Sequence, residues 1–110
     1  MNEETVLDFS NVTRNNVGEY IDSNQLKWMY LVSPKFGGST GPGNQVVVTP
    51  KAIEEKIKID DELYKHLQLG RAVDNFSVDL DYKGNSFVPS KINISATIDG
   101  HDYKRVIDVW

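Results

Sequence analysis

The chain has 110 residues, 39% of them hydrophobic and 25% charged, and its 12 basic and 16 acidic side chains leave a net charge of −4. That length is one domain, and this balance excludes wholesale disorder and a chain-wide attraction to phosphate backbones. With no cysteine, disulfides, thiol catalysis and cysteine-held zinc are excluded as well.

Along the chain, no apolar run approaches the ~20 residues of a membrane span. The opening Met1-Asn2-Glu3-Glu4-Thr5 lacks the basic and apolar regions of a secretory signal, so a soluble, cytoplasmic protein with no membrane partner is expected. Val6, Leu7, Phe9 and Val12 make a short apolar stretch, read as a first strand over residues 5–12. Thr13-Arg14-Asn15-Asn16 is a turn-rich break, and residues 17–21 fit either one helical turn or an irregular connection.

The most apolar runs, residues 26–34 and 45–49, read as the arms of a β-hairpin. In the first arm Leu26, Trp28, Tyr30 and Val32 share one face while Lys27, Met29, Leu31 and Ser33 share the other. Apolar groups on both faces predict a central strand with Trp28 in the core, ended by Pro34. Between the arms, Gly37, Gly38, Gly41 and Gly43 make a tip that buries nothing, read as a mobile loop or as a flap that orders on a partner.

Thr49-Pro50 is a helix start, with threonine as N-cap and proline at the first helical position. Ile53 and Ile57 sit four apart, a second start offers itself at Asp60-Asp61-Glu62, Leu63 and Leu67 repeat the spacing, and Gly70 stops the run. The pattern fits two short helices or one kinked helix over residues 50–69. Phe76, Val78, Leu80 and Tyr82 then alternate with polar residues, as do Ile92, Ile94, Ala96 and Ile98. Asp99-Gly100 is a strong hairpin signal and sets Ala96 opposite Tyr103, Ile92 opposite Ile107 and Ile94 opposite Arg105. The expected class is α+β: a mainly antiparallel sheet of five to six strands with one helical segment between the third and fourth. That element order, with one extra terminal strand, points to an OB-like barrel.

Chemical motifs do not survive inspection. Gly38 to Gly43 has the outer spacing of a phosphate-binding loop, but Asn44-Gln45 stands where lysine and a hydroxyl are needed. Asp79 to Asn85 opens like a calcium loop, yet Lys83 and Ser90 occupy ligand positions. His66 and His101 have no ligand neighbours, and no nucleophile elbow occurs. No enzyme, metal or cofactor is expected. The suggestive constellation is Lys27, Trp28 and Tyr30 with Lys35, Phe36 and the glycines, because rings beside lysines are what binders of single-stranded nucleic acid use. A binding module for single-stranded nucleic acid is therefore the leading expectation. The alternative is a small acidic protein that binds and regulates a protein partner through Asp79, Asp81, Asp99, Asp102 and the 60–62 turn.

Overall fold

The computed structural model describes residues 7–110. In chain order the elements are α1 (Val17–Asp22), β1 (Lys27–Tyr30), β2 (Gln45–Val48), α2 (Pro50–Gln68), β3 (Val73–Tyr82), β4 (Pro89–Ile98) and β5 (His101–Asp108). The architecture is α+β, with an antiparallel two-stranded sheet β1-β2 and an antiparallel three-stranded sheet β3-β4-β5. No helix among the described residues is long and apolar enough to cross a membrane.

The closing meander follows from its sequence. Asp99 and Gly100 both take positive φ, at 49° and 83°, the requirement of a two-residue turn whose twist matches that of the flanking strands. This sets Ile98 against His101, Ala96 against Tyr103, Ile94 against Arg105 and Ile92 against Ile107, the expected register. Ile92, Ile94, Ala96 and Ile98 are all buried on one face, joined by Tyr103, Ile107 and Val109 from β5. A bulge in β3 between Asp74 and Ser77, with Asn75 at φ 55°, shifts the phase so that Val73 shares the inward face with Phe76, Val78 and Leu80.

The first hairpin is antiparallel as expected, pairing Lys27 with Val48 through Tyr30 with Gln45, but its first arm is strand only over Lys27–Tyr30 and ends before Pro34. Its place in the sheet differs. Among the described residues β1 has β2 as its only strand partner, while β2, with Val46, Val47 and Val48 all buried, packs against β4. The two ladders do not merge, so neither a single sheet of five to six strands nor a closed barrel forms among the described residues. A first strand is also absent over residues 7–12, where Val12 N–H donates to the Phe9 carbonyl in a turn; Thr5 and Val6 lie outside the described residues. Residues 17–22 take the helical option.

Residues 50–68 form one helix rather than two. The Thr49 hydroxyl accepts from Ala52 N–H at 3.2 Å, and Gly70 at φ 78° lets Arg71 N–H reach the His66 carbonyl at 3.0 Å, so both ends close as the residues dictate. Asp60 does not start a helix because its carboxylate turns back one turn to Lys56, whose Nζ lies 2.7 and 2.8 Å from its two oxygens. The inward stripe is Ala52, Lys56, Ile59 and Leu63, and Ile57 is left 53% exposed.

Lys56 is only 2% exposed, so its ammonium depends on Asp60. Burial pushes the Asp60 carboxyl above its usual value, while Lys56 beside it pulls the other way. Asp60→Asn, which leaves the buried ammonium without a counter-charge, is expected to destabilise the fold by ~3 kcal/mol in urea unfolding. Lys56→Met should be near neutral or stabilising in the same measurement, because it removes the charge and keeps the volume.

Tyr103 carries the other buried polar atom of note. Its hydroxyl has no hydrogen-bond partner among the described residues, although the Glu62 carboxylate is near enough to bear on its ionisation. Burial first, and Glu62 second, push the phenol from 10.0 up to about 12. The folded value lies above the unfolded one, so this contribution to stability is complete below pH 10.0 and is lost as pH rises through about 12. Tyr103→Phe should therefore flatten the alkaline loss of stability in a pH series of melts, and should raise stability at neutral pH by ~1 kcal/mol.

Candidate functional site

The first hairpin presents its rings to solvent because β1 has one partner strand and Met29 takes the inward direction. Met29 is 7% exposed, whereas Trp28 and Tyr30 on the alternate side are 49% and 36% exposed. The expectation that Trp28 is a core residue is thereby corrected: the apolar groups on both faces of this arm reflect one face in the core and one on the surface.

Trp28 lines a groove of about 740 Å³ together with Val46 and Val47 of β2. Tyr82, at the end of β3, and Phe87, just before β4, line it as well, and Arg14 is the charged side chain in its lining. Trp28 and Phe87 meet edge to face with centroids 6.5 Å apart, a geometry that fixes the indole orientation. Tyr82 is 49% exposed, and the burial of its remainder raises its phenol pKa. Tyr82 sits where the β3–β4 register slips at Asp81/Tyr82, which takes it off the inward face it would otherwise join.

The other residues expected at the site are divided by the fold. Trp28 and Tyr30 also line a smaller groove against Ile53 and Ile57 of α2. Lys27 is exposed but lies on the alternate side of β1 from Trp28. Lys35 is 3.6 Å from Asp61 and stands over the Tyr64 ring at 4.3 Å. Phe36 is partly buried, its ring 6.3 Å from Tyr64 and 6.4 Å from Phe76, at the margin of the core. Lys35 and Phe36 line a separate cavity of about 400 Å³ with Leu63 and Leu67 and do not meet Trp28 there.

The glycine-rich tip is closed by one side chain. The Asn44 amide accepts from Val32 N–H at 2.8 Å and donates to the carbonyls of Val32 and Ser39, both at 2.7 Å. Short 3₁₀ turns at Pro34–Phe36 and Pro42–Asn44 complete it, with Gly37 as a left-handed cap, Gly41 preceding the second turn and Gly43 within it. A Cβ on Gly38 would come within 1.9 Å of the Val32 carbonyl oxygen, so only glycine fits. Gly37 and Gly38 are explained by backbone geometry, whereas a Cβ on Gly43 would meet open space.

The acidic residues considered for a protein partner are largely engaged inside the molecule. Asp60 holds Lys56, Glu62 meets Arg105 at 2.7 Å, Asp81 accepts from Asn93, and Asp99 accepts Ala72 N–H at 2.8 Å. Asp79 and Asp102 are exposed. His66 Nδ1 lies 2.8 Å from Arg71, and no group of three or more metal-ligand side chains occurs among the described residues. Arg14, Tyr82 and Phe87 were missed as site residues. The alternating pattern assigned Tyr82 inward, and nothing local to Arg14 or Phe87 signals that the fold brings them to Trp28.

Asn44→Ala removes three side-chain hydrogen bonds at once and is expected to destabilise the protein by ~2 kcal/mol in urea unfolding. Amide exchange at Val32 should accelerate with it, since that N–H loses its partner. Comparison of the chain with protein-family models and with curated proteins returns no match to either.

Proposed function

We propose that this chain is a non-enzymatic binding module whose ligand surface is the groove of Trp28, Tyr82 and Phe87, and that its ligand is an extended segment of another protein. The observation that carries this reading is the convergence of two half-exposed rings from distant parts of the chain on one groove also lined by Val17, Val46 and Val47. Tryptophan, tyrosine and arginine are the residue types that dominate binding energy at protein interfaces, where they fill or flank desolvated pockets. Val46, Val47 and Pro42 offer apolar contact, and Arg14 favours an acidic side chain beside the apolar part of the ligand.

Single-stranded nucleic acid is the second reading, favoured by the same two exposed rings, on which bases stack at ~1–3 kcal/mol each. It has less electrostatic support. Arg14 is the cation in the groove lining, Lys35 is beside Asp61, and the whole chain carries −4.

Selection of a random peptide display library on the immobilised protein, followed by fluorescence titration of enriched peptides, tests the first reading. Trp28→Ala and Tyr82→Ala should each weaken a selected peptide by about 10-fold or more while the fold persists. Peptides that bind both variants as well as the wild type would place the ligand surface elsewhere. A parallel titration with fluorescent oligo-dT at about 50 mM salt should show no binding; binding that weakens steeply with added salt would replace the protein reading with the nucleic-acid one.

A further inference from the structure

The outer strand β5 has an unpaired edge whose chemistry is independent of the aromatic groove. Its phase is set by the two-residue turn and by Val109 N–H, which donates to the Ser90 carbonyl at 2.8 Å. Odd-numbered residues of β5 therefore bond to β4, and the backbone groups of Asp102, Lys104, Val106 and Asp108 point away from the sheet. β5 pairs with no strand on that side among the described residues, and such an edge is a template for another strand.

The side chains specify which strand fits. Val106 is 57% exposed on the otherwise polar outer face of the sheet, with Lys104 and Asp108 two residues to either side. We propose that a second copy of this chain pairs antiparallel with β5, the two-fold axis passing through Val106. In that register Val106 covers its own counterpart, and Lys104 of each copy faces Asp108 of the other, so both charge pairs are opposite. Other in-phase registers are poorer. Centring on Lys104 puts like charges together, centring on Arg105 sets Asp102 against Asp108, and centring on Tyr103 leaves Val106 uncovered.

Arg105 controls access to this edge. One guanidinium nitrogen donates to the outward Lys104 carbonyl at 2.8 Å while the other holds Glu62 at 2.7 Å. Pairing requires the first of these bonds to open; the second anchors the side chain either way. The short contact makes the dimer weak and concentration-dependent.

Sedimentation velocity of the full chain from about 10 μM to about 1 mM reads the association directly. A dimer is expected in the wild type or, if the Arg105 bond keeps the edge closed over that range, in Arg105→Ala. Val106→Pro deletes one outward N–H without touching the ladder to β4, and should return that species to monomer. Lys104→Asp should weaken the dimer about 10-fold, and adding Asp108→Lys should restore it, which decides the matter even if the proline variant fails to fold. Monomers at about 1 mM for both wild type and Arg105→Ala would overturn the proposal. So would a dimer that survives Val106→Pro, or a double variant as weak as the single.

Discussion

The structure depends on the inward face of β4. This strand alone among the described strands is bonded on both edges, and Ile92, Ile94, Ala96 and Ile98 are each at most 9% exposed. Burying each of the three isoleucines contributes roughly 1.5–3 kcal/mol, and the Ala96 methyl about 0.8 kcal/mol. α2 packs across the sheet against β3 and β5, and β2, whose Val46, Val47 and Val48 are all buried, packs against β4. Because β2 packs rather than extending the ladder, β1 is left at the margin with three of its four residues exposed.

The parts of the fold legible in the sequence are those decided by neighbours in the chain. Asp99-Gly100 specifies a turn, the turn specifies a register, and the alternation on either side agrees with it. Thr49-Pro50 and Gly70 mark helix ends for equally local reasons. What was not legible is decided by long-range packing. Asp60 has the look of a helix start, but it is the counter-charge of a lysine one turn back, a role that appears only once Lys56 is known to be buried. The arms of the first hairpin are apolar enough for a sheet centre, and periodicity cannot tell a central strand from one packed against another sheet. The bulge at Asn75 leaves no mark in the alternation it corrects, because Val73 and Phe76 are each apolar in either phase.

The candidate site shows the same division. Sequence reasoning found Trp28 from its composition and neighbours, then favoured the core for it; Tyr82 and Phe87, which share its groove, come from residues more than fifty positions away. Conversely, the features most suggestive of function by type are accounted for by structure. Gly38 is required by the Val32 carbonyl, Phe36 packs on Tyr64 and Phe76, and Lys35 sits between Asp61 and the Tyr64 ring.

Subtracting what packing explains leaves, among the described residues, Trp28, Tyr82 and Val106 together with Ile57, Leu67 and Leu69 on and just after α2. A buried tryptophan or tyrosine removes about 150–250 Å² from water, so leaving half of that exposed forgoes roughly 2–3 kcal/mol for each ring. Isolated exposed rings are ordinary on protein surfaces. Trp28 and Tyr82 are not isolated: they line one groove together with Val46, Val47 and Arg14. The same subtraction leaves Val106 on the outer face of β5, exposed between two charges of opposite sign at an unpaired edge. Both remainders are apolar surface that folding alone does not cover, and covering such surface is what association with another chain accomplishes.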